Sequence, residues 1–151
     1  MTTNLTKKPS TTALLLGAGG LIPYIVLSSL SVFTVGTQQE YLVFSLLAYG
    51  ATIISFLGAI HWGLTIIEAS PTRLRLIWSV TPSLIAWLSL ILNAPTGLYI
   101  QIIVLWICLL VDIKTYPRHD LSKWLVMRFT LTLVASISLV ITVLNITFLA
   151  H

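Results

Sequence analysis

Five stretches of this chain, at about 12–35, 41–67, 74–93, 96–112 and 127–149, run almost without charge for long enough to cross a membrane. Crossing the hydrocarbon layer takes about 20 predominantly apolar residues. Lipid offers no water to backbone N–H and C=O groups, so each stretch must satisfy them within itself as an α-helix. The expected fold is therefore an all-α integral membrane protein. It is read as a short cytoplasmic segment at 1–11, then one compact bundle of five transmembrane helices filling 12–151. The fourth stretch is the shortest, and the uncharged hairpin Asn93-Ala94-Pro95-Thr96-Gly97 lends it a turn at the interface. With 8% charged residues, against roughly 25% in soluble domains, a water-soluble fold is excluded.

The basic residues give a direction to the bundle. Lys7 and Lys8 precede the first span, Arg73 and Arg75 separate the second from the third, and Lys114, Arg118, Lys123 and Arg128 separate the fourth from the fifth. All eight fall on one side, and short loops rich in Lys and Arg stay cytoplasmic, so the N-terminus is expected inside and the C-terminus outside. Trp78 and Trp124 stand at the inner edge and Tyr41 and Tyr99 at the outer edge, where aromatic anchors belong. The net charge of +4 suits anionic lipid headgroups, each nearby cation contributing about 1 kcal/mol. Membrane lipids are thus an expected partner, and nucleic acid is not. The run from Ala13 to Val35 exceeds the h-region of a signal peptide and no cleavage site follows, so it reads as a retained first helix. The lack of a Ser- and Arg-rich leader points to the bacterial inner (cytoplasmic) membrane, with the mitochondrial inner membrane as the alternative.

Helices in lipid associate through small residues that let backbones approach. The second span has such a seam in Ala51, Ser55, Ala59 and Gly63, with Gly58 beside it. Intrachain packing is its plain reading; a homo-oligomer or larger membrane complex is the alternative. Gly17, Gly19 and Gly20 before Pro23 mark a bent, closely packed first span. In the fifth span, Arg128, Thr132, Ser136, Ser138, Thr142 and Asn145 share the side expected to face the bundle, and Leu133, Ile137, Val140, Ile141, Leu144 and Phe148 the side expected to face lipid.

Ionisable residues inside a membrane are functional candidates. His61, Thr65 and Glu68 lie on one helical face; the plain reading of His61 is a neutral imidazole satisfied by a backbone carbonyl of the next helix, and the three flanking a common ligand, water or proton is the alternative. Asp112 and Arg128, at the inner boundary of the last two spans, are expected to form an ion pair. Arg73 and Arg75 are lipid-headgroup candidates that snorkel outward. Cys108, the sole cysteine, reads as a small buried hydrophobe. No motif for catalysis, phosphate or haem binding is found, so neither a catalytic residue nor a metal or other cofactor is expected.

The segments Leu16-Gly17-Ala18-Gly19-Gly20-Leu21-Ile22-Pro23, Ser55-Phe56-Leu57-Gly58-Ala59-Ile60-His61-Trp62-Gly63 and Trp78-Ser79-Val80-Thr81-Pro82-Ser83-Leu84-Ile85-Ala86-Trp87 resemble the transmembrane protein 69-like family, a domain of unknown function. Tyr49-Gly50-Ala51, Asp112 and the Trp124–Thr132 stretch with Arg128 extend the likeness over nearly the whole chain. Ala59 departs from it, standing where a second Gly is expected. The resemblance implies a small multi-span membrane protein and carries no activity. The leading reading is a non-catalytic membrane component associating with itself, a partner protein or lipid. The alternative is a small transporter or proton-linked carrier using His61, Glu68 and the polar face of the fifth span.

Overall fold

A computed structural model of the chain describes residues 9–68 and 72–149; Lys7, Lys8 and His151 lie outside the described residues. Within them the protein is all-helical, with five segments long and apolar enough to span a membrane. The first span is two helices, α1 (Thr11–Gly19) and α2 (Ile22–Val32). The others are α3 (Thr37–Ile67), α4 (Arg73–Ile91), α5 (Ala94–Thr115) and α6 (Leu125–Leu144). Two short 3₁₀ turns, Tyr116–His119 and Ser122–Trp124, join α5 to α6, and a π turn, Asn145–Leu149, extends α6.

The break in the first span has a local cause. Pro23 lacks an N–H, and its ring would collide with a carbonyl one turn earlier, so the helix stops at Gly20 and restarts. Tyr49 reaches across from α3 and donates its hydroxyl hydrogen to the Gly20 carbonyl at 2.8 Å. The loop expected at 36–40 shrinks to a tight turn, because Gly36 takes a positive φ of 65° and Glu40 then falls in the first turn of α3, where the helix dipole favours an acid.

α3 is the central helix, packing against α2, α4 and α5, while α6 closes the bundle against α2 and α5. Leu46 and Ile54 of α3, Leu98 and Leu105 of α5 and Leu139 of α6 are fully buried, whereas Phe33, Val35 and Ile67 are more than four-fifths exposed, as lipid-facing side chains should be. Polar side chains join the helices from within. Ser28 of α2 donates to the Ser138 carbonyl of α6 at 2.8 Å and accepts from Thr142 at 3.0 Å. Gln101 of α5 donates to the Leu47 carbonyl and the Ser89 hydroxyl at 2.8 and 3.0 Å. The face of α6 from Arg128 to Asn145 named above is buried throughout, and the opposite aliphatic face is exposed.

The seam of α3 departs from expectation. Ala51 is buried and Gly58 lies so close to α4 that a Cβ there would sit 2.6 Å from the Ser79 carbonyl, but Ala59 and Gly63 face outward. Four residues of helix turn through about 400°, so a stripe at that spacing drifts about 40° per step and leaves the interface within three steps. The close approaches are made instead at Gly58 and at Gly50, where any Cβ would overlap the Gln101 amide oxygen.

Candidate functional site

Three buried ionisable side chains meet one turn or so inside the end of the bundle that carries the basic loops. Asp112 comes from the last turn of α5, Arg128 from the first turn of α6 and His61 from α3, about 9 Å along the axis from the end of that helix. Arg128 Nε donates to Asp112 Oδ2 at 2.7 Å, and His61 Nε2 lies 2.9 Å from Asp112 Oδ1. A carboxylate only accepts, so His61 presents its Nε2 hydrogen to it. All three residues are at least nine-tenths buried, which places a cation, an anion and an imidazole together inside the bundle. The Trp78 ring of α4 stands edge-on to the imidazole, with centroids 6.4 Å apart.

Glu68 belongs to a separate cluster nearer the loops. It forms an ion pair with Arg75 and lies 3.3 Å from His119 Nε2, while Arg75 Nη2 also stands 3.3 Å from that ring nitrogen. The grouping of His61, Thr65 and Glu68 about one ligand is therefore corrected. The Thr65 hydroxyl bonds the Trp62 carbonyl of its own helix at 2.7 Å, and the two ionisable members turn to different partners. Arg75 is likewise engaged with Glu68 rather than free to meet a headgroup, whereas Arg73 is exposed.

Beside the triad lies a cavity of about 340 Å³ between the first span and helices α3, α5 and α6. Leu16, Leu21, Phe56, Ile60 and Leu131 contribute apolar wall, and Tyr116 and Arg128 stand at the end nearest the triad. Arg128 Nη2 and the Thr132 hydroxyl, both buried, hydrogen-bond no described residue. Thr130 and Ser138 return their hydroxyls to carbonyls one turn back on α6. Thr132 does not. Cys108 is buried in the core, and among the described residues no three His, Cys, Asp or Glu side chains gather as metal ligands.

Sequence reasoning missed Gln101 and His119. The first was legible as a lone amide in the middle of an apolar span. The second lies in an irregular turn, where spacing carries no information on what a side chain meets.

Known proteins place the chain. Residues 9–144 match the family described as Protein of unknown function (DUF3429). Transmembrane protein 69 of Xenopus tropicalis is 37% identical over 144 residues, covering 92% of this chain and 56% of the relative. Transmembrane protein 69 of Mus musculus is 29% identical over 136 residues, covering 87% and 55%. The chain thus spans about half the length of the curated relatives it matches. No solved structure matches it. With its five apolar helices and a family match over most of its length, the chain belongs to the DUF3429 family of multi-span membrane proteins of unknown function.

Proposed function

We propose that this protein is a non-catalytic membrane component, a fixed helical scaffold that works through what associates with it: lipid, a partner protein or a second copy. The observation that carries this reading is the mutual engagement of its embedded charges. Asp112 is held from two sides by His61 and Arg128, and Glu68 by Arg75, with the His119 ring beside both. Each contact joins different helices or loops, so the charges knit the basic end of the bundle together. The buried Asp112–Arg128 pair opposes separation strongly, since removing one partner strands the other at a cost of about 3–5 kcal/mol. We further infer that this basic end faces the cytoplasm, on the distribution of Lys and Arg.

His61→Gln tests the scaffold reading, because glutamine retains a donor for Asp112 while losing the ability to exchange a proton near neutral pH. The expected variant folds, co-purifies from native membrane with the same lipids and proteins as the wild type, and complements a deletion. A variant that folds with wild-type stability yet behaves as the deletion would replace the scaffold with a proton-linked carrier.

A further inference from the structure

We propose that the cavity between the first span and α3, α5 and α6 is a binding site for an acyl chain carrying an acidic head, a carboxylate or a phosphate, with the head at Arg128 and Thr132. The inference deepens the scaffold reading by naming what the scaffold holds, and rests on that reading only in treating the cavity as a binding rather than a reacting site.

The cavity, at about 340 Å³, falls at the lower end of the volumes of small-ligand sites. It opens toward lipid, since Leu16 and Phe56 of its wall are more than three-fifths exposed, so an acyl chain can enter sideways from the bilayer. Its wall is aliphatic and aromatic except near one end, and that end is the one bearing the basic loops, where the hydrocarbon meets the headgroup layer. An amphiphile entering with its head at that level needs no reorientation.

The polar end is built for an acceptor. Arg128 spends its Nε on Asp112 and leaves Nη2 with no described partner, although the residue is only 6% exposed. A guanidinium has donors alone, so whatever satisfies it must bring lone pairs, and an anionic oxygen makes a bond about twice as strong as a neutral one. Thr132 follows one turn later on the same face, about 6 Å along the axis, lines the same cavity and leaves its hydroxyl unused by its own helix. The Tyr116 hydroxyl hydrogen-bonds the Arg128 guanidinium from this wall, which helps to hold the fork in place. Asp112 does not fill this role: it accepts from His61 and from Nε, and Nη2 bonds neither of its oxygens. The clamp on Nε holds the remaining fork of the guanidinium in place, which lowers the ordering cost of binding.

The test uses the full chain in phosphatidylcholine nanodiscs, with quenching of tryptophan fluorescence as readout, since Trp124 lines the cavity. The probes are dibrominated stearic acid, dibrominated phosphatidylglycerol and dibrominated phosphatidylcholine. Saturable quenching by an acidic probe at concentrations at least about tenfold below the neutral one is expected, the scale of one charge-assisted hydrogen bond. A stronger response to the free acid identifies a fatty acid as the occupant, and a stronger response to phosphatidylglycerol identifies a phospholipid; either supports the site. Arg128→Lys, which keeps the charge for Asp112 but loses the fork, should weaken the acidic probe about tenfold. Thr132→Val should weaken it about threefold, and Leu131→Phe, which narrows the mouth, should weaken all bound probes. Equal quenching by the three probes overturns the proposal, as does undiminished acid binding in Thr132→Val and Leu131→Phe variants of wild-type stability, whether or not Arg128→Lys assembles. Failure here leaves the outcome of His61→Gln untouched, so the two readings fall separately.

Discussion

Asp112 is the residue through which three helices are tied, and its chemistry makes it hard to replace. Both oxygens accept from donors on other helices, so Asp112→Asn must turn its amide N–H₂ either toward Arg128, which only donates, or toward His61, which must then move its ring hydrogen to Nδ1, and either way Arg128 loses its carboxylate. The expected loss is about 3–5 kcal/mol, the cost of breaking a buried pair. Starting from Arg128→Gln the same change should cost less by at least about 0.5 kcal/mol, because the cation that needed the carboxylate is gone. Denaturant titration of the four variants in one detergent measures this, and strictly additive losses would rule out direct coupling. At this scale the sequence was informative in part. Asp112 and Arg128 stand out as opposite charges entering the apolar zone, which is where such charges seek partners. The partner of His61 was not legible. Helical spacing relates His61 to Thr65 and Glu68 on its own helix, whereas the residue it meets is 51 positions away on another, a relation fixed only by how α3 and α5 are placed side by side.

At the scale of the helix, the decisive contacts are made by glycines whose neighbours come within backbone distance. Gly58 sits against the Ser79 carbonyl and Pro82 of α4, while Gly63, on the same helix, has nothing within 4 Å of where a Cβ would be. Gly58→Val should therefore overpack the α3–α4 contact and destabilise the bundle by about 1–3 kcal/mol. Gly63→Val should stay within about 0.5 kcal/mol, as outward-facing changes do. Melting both in one detergent, with cross-linking to follow self-association, separates the roles of the two positions. Equal damage at Gly63 would show that the outward face is an interface between copies. The five spans themselves were legible because lipid imposes a length and a composition on anything that crosses it. The break at Gly20 was legible too, since Pro23 carries its own reason to stop a helix. The seam was legible only as a list of small residues, because spacing along one helix does not say where its neighbours lie.

Over the whole molecule, charge is distributed with a single polarity. Among the described residues every Lys and Arg lies at the end formed by the α3–α4 and α5–α6 connections, and Glu68, Arg75 and His119 bind those two connections to each other. The opposite end turns on Gly36 and on Asn93, whose side chain caps α5 by accepting from the Thr96 N–H at 3.1 Å, and neither turn carries a cation. With the basic end inward, as proposed, no basic loop crosses the hydrocarbon, whereas the inverted bundle would carry all of them across, so insertion should have one strongly favoured outcome. Enzymatic reporters fused after Thr72 and after Asp120 should be active on the cytoplasmic side, and those fused after Thr96 and after Phe148 on the far side. Adding Lys at Thr37, Gln38 and Thr96 while replacing Lys7, Lys8, Arg73, Lys114, Arg118 and Lys123 with Gln should populate the inverted form, because only the ion-paired Arg75 and Arg128 then remain at the basic end, against three cations at the other, and the embedded triad is untouched. A reporter after Thr96 that proves cytoplasmic in the unaltered chain would sink the orientation, since an odd number of spans cannot then be reconciled with basic loops that all face inward.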